Sequence, residues 1–206
     1  MIPVLLADDE TLIRAAMATM LDLEADIDVV DHVGTGEELV AAWRRRVDAG
    51  EPVAVAVIDL QMPGIDGIDT ATELLALTPT AGTLIVTSHG RPGYLKRALS
   101  AGVRGFLPKT TSAATLAEVI RTVHKGGRYV DPELAAEAIS AGDSVLTARE
   151  ADVLEYAADG ASVEEIARHA HLSPGTTRNY LSAAMAKLGV SNRYEAALEA
   201  RRRGWI

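Results

Sequence analysis

The sequence predicts an α/β fold, a five-stranded doubly wound parallel sheet, followed by a small all-α domain. Over residues 1–125, short β-branched or apolar runs alternate with amphipathic stretches, which is the order of repeated βα units around a parallel sheet. From residue 145 onward only helical patterns remain. We therefore predict a first domain over 1–125, a linker with a short helix over 126–144 and a helical domain over 145–206.

Five apolar runs are short enough to form the strands of this sheet. They cover residues 4–7, 29–33, 53–58, 84–86 and 106–107. The run over 53–58 is apolar on both faces and rich in valine, which is typical of a central strand covered by helices on each side. We place this run in the middle of the sheet.

Helical patterns connect the strands and then fill the rest of the chain. The crossover helices are predicted at 11–21, 37–46, 68–77, 94–100 and 113–125, and a further short helix at 133–140. Residues 141–144 have the composition of a flexible joint. Helices are then predicted at 148–158, 163–170, 176–188 and roughly 193–203, after the start signals Thr147, Ser162, Ser173 and Asn192. Glu150 completes a capping-box pattern with Thr147.

Composition excludes several classes of function. The chain has no cysteine, so it has no disulfide framework, thiolate zinc site or cysteine nucleophile, whereas an oxygen-ligated metal remains possible. No apolar run approaches the roughly 18 residues that span a bilayer, and the N-terminus lacks the pattern of a signal peptide. We therefore expect a cytoplasmic protein without membrane insertion.

The formal net charge of −9 is unevenly distributed along the chain. Residues 1–143 hold 12 Lys/Arg against 21 Asp/Glu, whereas residues 144–206 hold 8 of each. From Ser173 onward basic residues prevail, because only Glu195 and Glu199 oppose them. A basic end is what a polyphosphate partner such as nucleic acid requires.

Polar residues follow four of the five predicted strands. They are Asp8-Asp9 after the first strand, Asp59 after the third, Thr87-Ser88 after the fourth and, beyond Pro108, Lys109 after the fifth. Because the carboxyl ends of parallel strands meet at one edge of a sheet, these side chains should converge. Three carboxylates repel one another unless a multivalent cation neutralises them, which favours Mg²⁺. Asp59 would then act as a nucleophile and form an acyl phosphate, while Lys109 holds a phosphoryl oxygen.

A simpler interpretation applies to each of these acids taken singly. An acidic residue after a strand is most often a solvated loop residue or a helix cap, and Asp9 could merely cap the helix that follows it. The combination of Asp-Asp, Asp, Thr and Lys at the ends of strands one, three, four and five favours a phosphoryl-transfer site.

Residues 1–125 resemble the flavodoxin-like receiver domain of bacterial two-component response regulators. The most specific part is Val57-Ile58-Asp59-Leu60-Gln61-Met62-Pro63-Gly64-Ile65-Asp66-Gly67, which is similar to the family's phosphoacceptor strand and loop. The resemblance implies that Asp59 is the phosphoacceptor and that Asp9 and Asp59 bind Mg²⁺ directly. It also implies that Asp8 binds the ion through water and that Gln61 offers its backbone carbonyl.

The same resemblance assigns a switch to the receiver domain. Thr87 and Lys109 contact the phosphoryl oxygens, the Thr87 hydroxyl moves toward the phosphate, and the ring of Phe106 turns inward behind it. Without the family, ordinary core filling is the better interpretation of Phe106. The loop 89–93 and Thr110 depart from the usual family pattern, which affects the switch surface and leaves the phosphoryl chemistry intact.

An aspartyl-nucleophile phosphohydrolase is an alternative that also uses an Asp at a strand end with Thr and Lys. Such enzymes normally need a second acid two residues after the nucleophile, and that position is Gln61. We therefore expect no enzymatic activity apart from Mg²⁺-dependent self-phosphorylation from a phosphodonor and autodephosphorylation.

From Leu146 to Ile206 the chain resembles the helix-turn-helix output domain of the NarL/FixJ/LuxR class. The motifs are Leu146-Thr147-Ala148-Arg149-Glu150 at the entry, Glu165-Ile166-Ala167 on the scaffold helix and the turn 171–176. The resemblance implies that 176–188 is a recognition helix in the major groove of DNA. The spacing of Leu181, Met185 and Leu188 gives that helix a buried face.

Opposite this apolar stripe, Arg178, Asn179 and Ser182 project outward. Arginine pairs with guanine and asparagine with adenine, so we predict that Arg178 and Asn179 contact bases. Phosphate contacts are predicted for Ser173, Thr176 and Lys187. An exposed arginine on a small helical bundle is more commonly only solvated, and the three arginines at 201–203 are better explained as a solvated helix end.

Together the two resemblances predict a transcription regulator that a sensor histidine kinase phosphorylates on Asp59. A single helix-turn-helix buries little surface, so we expect a homodimer on double-stranded DNA, with dimerisation linked to phosphorylation. A ligand-controlled or phosphorylation-independent regulator of the LuxR type is the alternative. The stretches 87–90 and 122–127 are similar to those of Gram-positive regulators of the desaturase-controlling type.

Overall fold

The computed structural model describes residues 1–88, 92–140, 144–158 and 160–206. The chain divides into two compact units, one formed by residues 1–90 and 97–132 and the other by residues 91–96 and 133–206. Two sequence-based expectations, the departure from the family pattern at 89–91 and most of the joint at 141–144, lie outside the described residues.

The first unit contains a parallel sheet of six strands. They are β1 (Ile2–Ala7), β2 (Ile27–Val33), β3 (Val55–Asp59), β4 (Gly82–Thr87), β5 (Gly105–Pro108) and β6 (Tyr129–Val130), in the order β2-β1-β3-β4-β5-β6. Every residue of β3 is buried, so the prediction of a central strand is confirmed. Alternate apolar residues of β1, β3 and β4, including Val4, Val57 and Leu84, form one core with residues of the helices Thr11–Leu21 and Ala113–His124.

The predicted count of five strands is one too low. The additional strand β6 lies at the edge of the sheet and pairs with β5 through Tyr129 and Val130. The Tyr129 amide donates to the carbonyl oxygen of Arg104 over 2.9 Å, and the Asp131 amide donates to that of Phe106 over 3.0 Å. Two residues are too few to produce a recognisable strand pattern in a sequence, which is why this strand was missed.

The helices occur where the sequence predicts them, with small differences at their ends. They are α1 (Thr11–Leu21), α2 (Gly36–Asp48), α3 (Gly67–Leu77), α4 (Pro92–Ser100), α5 (Ala113–His124) and α6 (Pro132–Ser140). The hydroxyls of Thr35 and Ser112 and the carboxylate of Asp66 accept backbone N–H groups at the starts of α2, α5 and α3. The N-cap of α1 is Glu10, so Asp9 is not the cap of this helix.

The second unit contains the four helices α7 (Ala148–Ala158), α8 (Val163–His169), α9 (Pro174–Leu188) and α10 (Arg193–Arg202). The predicted capping box is confirmed: the Thr147 amide donates to Glu150 Oε2 over 2.7 Å, and the Glu150 amide donates to Thr147 Oγ1 over 3.3 Å. The core of these four helices includes Val153, Leu154 and Ile166. Among the described residues, no helix is long and apolar enough to cross a membrane.

Candidate functional site

Three strand ends of the first unit define the candidate phosphoryl-transfer site. Asp8 directly follows β1, Asp59 is the last residue of β3, and Lys109 directly follows β5. Strands β1 and β3 are neighbours, and the chain continues from β1 to β2 on one side and from β3 to β4 on the other. Ligands of open α/β sheets bind at this topological switch point, beyond the carboxyl ends of the strands.

The ammonium group of Lys109 lies among three carboxylates. Its Nζ is 2.8 Å from Asp8 Oδ2, 2.9 Å from Asp59 Oδ2 and 2.9 Å from Glu10 Oε1. The side chain of Lys109 is only 8% exposed, and those of Asp8 and Asp59 are also buried. One positive charge therefore faces three carboxylates, two of them in surroundings with little water, which leaves the site short of cationic charge.

Burial changes the protonation of this cluster. It raises the pKa of Asp59 to about 7, although the charge of Lys109 acts in the opposite direction, and the charge of Asp8 adds to the increase. Burial also raises the pKa of Asp8. Burial alone would lower the pKa of Lys109, but the charge of Asp59 and the close carboxylates of Asp8 and Glu10 outweigh it and hold that pKa above its usual value.

The donor set of the site fits a hard divalent cation. Asp8, Glu10 and Asp59 each offer a carboxylate oxygen, and these oxygens lie within 4.8 Å of one another. Asp8 Oδ2 is buried and, among the described residues, accepts no hydrogen bond of good geometry, in spite of its short distance to Lys109. An anionic oxygen in that situation has unused capacity for a metal ion, and carboxylate oxygens are the ligands that Mg²⁺ prefers.

The three acids that the structure brings together at this site are not the three that the sequence predicts. Glu10 was not predicted as a site residue, whereas the predicted direct ligand Asp9 is half-buried and does not belong to the group of three. The only sequence signal for Glu10 was its place next to Asp8-Asp9. Binding of Mg²⁺ by Asp9 stays a prediction.

The remaining predicted receiver residues lie around the same edge of the sheet. The Gln61 amide is 3.5 Å from Asp59 Oδ1, and the Lys109 amide donates to the carbonyl oxygen of Thr87 over 2.8 Å. Thr87 is the last residue of β4 and is buried. Phe106 in β5 has 0% of its surface exposed, so its ring already lies inside the core. The switch roles of Thr87 and Phe106 and the carbonyl ligand role of Gln61 stay predictions.

A second ion-pair cluster, near the loop that follows Asp59, was not predicted. Asp66, the N-cap of α3, is buried, and its Oδ2 lies 2.7 Å from Arg97 Nη1 on α4. Arg97 also pairs with Asp69. Burial alone would lower the pKa of Arg97, but its hydrogen bond to Asp66 and the charges of both carboxylates raise it. This cluster connects α4 to the loop that follows Asp59.

In the second unit, helix α9 leaves one face uncovered. Gly175, Arg178, Asn179, Ser182 and Ala186 are exposed and follow the helical repeat along this face, while Pro174 and Lys187 are further exposed residues of the helix. The Arg178 side chain is 60% exposed and lies 3.4 Å from Glu164, a contact between solvated groups that adds little stability. The three residues predicted to project outward therefore share one accessible face.

The buried face of α9 is shifted relative to the prediction. Leu181 is buried as predicted, but Met185 and Leu188 are only partly buried, and Thr177 and Ala184 complete the face. The Thr177 hydroxyl donates to the carbonyl oxygen of Ser173 over 3.0 Å, so this polar side chain is satisfied inside the domain.

All three residues predicted to contact phosphates also have contacts within the domain. Ser173 caps α9, because its Oγ accepts the Thr176 amide over 3.1 Å. The same Oγ lies 2.9 Å from Thr176 Oγ1. Lys187 Nζ lies 2.7 Å from Oε2 of Glu150, a carboxylate that is almost fully buried. Lys187 therefore stabilises an internal charge, and its contact with phosphate stays a prediction.

Two family models match the chain. The response regulator receiver domain matches residues 4–121, and the luxR family of bacterial regulatory proteins matches residues 144–200. This chain is a response regulator. It is 38% identical to the transcriptional regulatory protein DesR of Bacillus subtilis, over all of both chains, and 39% identical to UhpA of Escherichia coli, over 96% of each.

Solved structures of response regulators agree with this assignment. The response regulator ChrA of a heme-sensing two-component system superimposes with a TM-score of 0.57, 30% identity and coverage of 100% of this chain and 98% of ChrA. RcsB in its complex with DNA gives a TM-score of 0.60 and 25% identity over 98% of each chain. The predicted fold class and the predicted family of DNA-binding response regulators are confirmed. The finer likeness to desaturase-controlling regulators stays a prediction.

Proposed function

We propose that this response regulator accepts a phosphoryl group on Asp59 from a sensor histidine kinase and that phosphorylation controls its binding to double-stranded DNA. The observation that carries the proposal is the Lys109 ammonium, 2.8 Å from Asp8 and 2.9 Å from Asp59 at the carboxyl edge of the sheet. Phosphoryl transfer needs a carboxylate that attacks, further carboxylates that bind a cation and an ammonium that holds the transferred group.

The transfer step is a displacement at phosphorus. A carboxylate oxygen of Asp59 forms the new P–O bond while the bond between phosphorus and the imidazole nitrogen of the kinase histidine breaks, and its electron pair leaves with the imidazole. Lys109 then holds an oxygen of the phosphoryl group. Thr87 is the candidate for a second contact because it ends the adjacent strand β4. In the proposed switch its hydroxyl moves toward the phosphate and Phe106 packs behind it.

Magnesium is the cation that the proposal includes. Asp8, Glu10 and Asp59 would share the ion, and Asp9 and the backbone carbonyl of Gln61 are further candidates from the family resemblance. When bound, the ion neutralises charge on the carboxylates and on the phosphoryl group. Enzymatic activity of the chain is then limited to Mg²⁺-dependent self-phosphorylation from a small phosphodonor and autodephosphorylation. A cytoplasmic location belongs to the same proposal, because the DNA partner lies there.

Recognition of DNA is proposed for the exposed face of α9. Arg178 and Asn179 suit guanine and adenine, while Ser182 borders them on the same face. Ser173 and Thr176, at the N-terminus of the helix, suit a phosphate group, and Lys187 is a further candidate for such a contact. The relative RcsB has been solved in a complex with DNA.

We expect Arg178→Ala and Asn179→Ala each to weaken binding to a DNA fragment selected from sheared genomic DNA by about 1–3 kcal/mol, which is about 5- to 150-fold in Kd. Each substitution should also relax base preference at one position of the site. Arg45→Ala, on an exposed part of α2, removes the same charge as Arg178→Ala and serves as the control. Equal losses for Arg178→Ala and Arg45→Ala in a fluorescence anisotropy titration would contradict base contact by Arg178.

Phosphorylation is proposed to act by forming a homodimer that pairs two output domains. Size-exclusion chromatography with light scattering, before and after treatment with acetyl phosphate and Mg²⁺, measures this directly. We expect a shift from monomer to dimer together with tighter binding to the selected DNA fragment, and neither change in Asp59→Asn. If Asp59→Asn binds DNA and controls its genes as the native chain does, the phosphorylation-independent alternative is favoured.

A further inference from the structure

Glu10 has an unusual position for a residue at the start of a helix. It is the N-cap of α1, yet its carboxylate accepts no capping hydrogen bond from that helix. Its side chain turns instead to Lys109, 99 residues later in the chain, whose Nζ donates to Glu10 Oε1 over 2.9 Å. The Glu10 amide donates to Asp8 Oδ1 over 2.9 Å, which holds the residue beside the site.

The contact with Glu10 occupies part of the limited hydrogen-bonding capacity of Lys109. An ammonium group has three N–H donors. Three carboxylates lie within 3 Å of Lys109 Nζ, namely those of Asp8, Glu10 and Asp59. Lys109 donates hydrogen bonds of good geometry to Glu10 and Asp59 and pairs with Asp8 by charge, so an oxygen of an incoming phosphoryl group must compete with these carboxylates for the ammonium.

Exposure decides which carboxylate is released at the lowest cost. The Glu10 side chain is 53% exposed, whereas that of Asp8 is fully buried and that of Asp59 is 6% exposed. A released Glu10 carboxylate can be hydrated at once, but a buried carboxylate that loses its partner keeps an uncompensated charge. Glu10 is thus the partner that an incoming phosphoryl group displaces.

The same negative charge has the opposite effect on a cation. Glu10 brings a third carboxylate oxygen within 4.8 Å of those of Asp8 and Asp59. A third carboxylate strengthens the attraction for a divalent cation, while it repels an anionic phosphodonor and competes with it for Lys109.

We propose that Glu10 is a positioning residue of the phosphoryl-transfer site that strengthens binding of the divalent cation and, as the third partner of Lys109, slows entry of the phosphoryl group. This inference rests on the proposed function of Asp59. It predicts that removing the charge of Glu10 weakens binding of Mg²⁺ and speeds phosphorylation of Asp59.

The test uses Glu10→Gln in the full chain, because glutamine keeps the shape of the side chain and removes its charge. In calorimetric titrations with Mg²⁺ alone, we expect Kd to rise about 5-fold, the effect of losing one charge at short range in partly hydrated surroundings. At a Mg²⁺ concentration that saturates each variant, we expect labelling of Asp59 by acetyl phosphate to become about 5-fold faster. Glu73→Gln, on an exposed part of α3 and outside the group of three carboxylates, is the matched control and should change neither quantity.

The outcomes separate this inference from the function on which it rests. Unchanged affinity for Mg²⁺ in Glu10→Gln, or an unchanged or slower labelling rate at saturating Mg²⁺, overturns the role of Glu10 while the native chain is still labelled on Asp59. If the native chain takes up no phosphoryl group from acetyl phosphate, the proposed function itself fails. A thermal melt of each variant checks that both remain folded.

Discussion

Asp59→Asn is expected to abolish phosphoryl uptake and, at the same time, to stabilise the metal-free protein. The amide of asparagine is not a nucleophile at phosphorus, so no acyl phosphate forms. The stability gain follows from charge, because Lys109 keeps Asp8 and Glu10 as partners and only the uncompensated excess of negative charge is removed. We expect no labelled band after acetyl phosphate treatment on a phosphate-affinity gel.

The pH dependence of this gain follows from the pKa of Asp59. Burial raises that pKa from 3.8 to about 7, so the folded state binds the proton more tightly than the unfolded state does. Stability from this group is fully present below about pH 4 and is lost as the pH rises through about 7. The asparagine variant does not undergo this loss. In EDTA, we expect it to exceed the native chain by about 1–4 kcal/mol at pH 8 and by much less at pH 5.

Urea denaturation at both pH values measures the effect, with Asp48→Asn on an exposed part of α2 as the control. Saturating Mg²⁺ should stabilise the native chain more than Asp59→Asn, because the variant has lost a ligand. A native chain as stable as Asp59→Asn at pH 8 in EDTA would show that the charge of Asp59 is already compensated in the folded protein.

Lys109→Met is expected to lower the stability of the metal-free protein, in contrast to Asp59→Asn, and to have the largest effect of these variants. Methionine fills a similar volume but leaves the carboxylates of Asp8, Glu10 and Asp59 without a cation. Removing one partner of a buried ion pair typically costs about 3–5 kcal/mol, and we expect a loss of this size at pH 8 in EDTA. Labelling by acetyl phosphate should fall by about 100-fold, because the group that holds the phosphoryl oxygen is gone.

Three further measurements make this prediction specific to the cluster. The loss should shrink at pH 5, where the carboxylates take up protons, and in millimolar Mg²⁺, which replaces the missing positive charge. The double variant Asp59→Asn/Lys109→Met should be more stable than Lys109→Met alone. Lys125→Met, on an exposed residue after α5, is the control. A loss that depends neither on pH nor on Mg²⁺ would mean that Lys109 stabilises the fold by packing alone.

The two expected results have the same cause. The site has more negative charge than its single lysine can balance, and this costs stability in the resting protein. In the proposed function, the excess charge also attracts the divalent cation, and it makes the arrangement of Lys109 sensitive to a new anion. In the proposed function, this local cost in stability is thus the source of the response to phosphorylation.

Much of the fold could be predicted from the sequence because local patterns determine it. The valine-rich run of β3 reads as a central strand, and the Thr147–Glu150 pair reads as a helix start, since both depend on residues close together in the chain. Strand β6 could not be predicted, because its two residues form a strand only through hydrogen bonds to β5.

The candidate sites divide in the same way. The sequence shows that acids, a threonine and a lysine stand at the ends of predicted strands, and parallel strands bring such ends together. The partners of individual side chains are not visible there. The sequence predicts a phosphate contact for Lys187, and it gives no sign that the nearly buried carboxylate of Glu150, 37 residues earlier, lies 2.7 Å from the Lys187 ammonium group.

By itself the sequence determined the class of this protein, the place of Asp59 at a strand end and the helix that presents Arg178 and Asn179, because all of these follow from local patterns and from the order of the strands. Only the tertiary structure decided that Glu10 takes a donor of Lys109 and that Lys187 neutralises Glu150. The physical reason is that ion pairs form between groups far apart in the chain, and burial, which the fold alone sets, decides which pairs form.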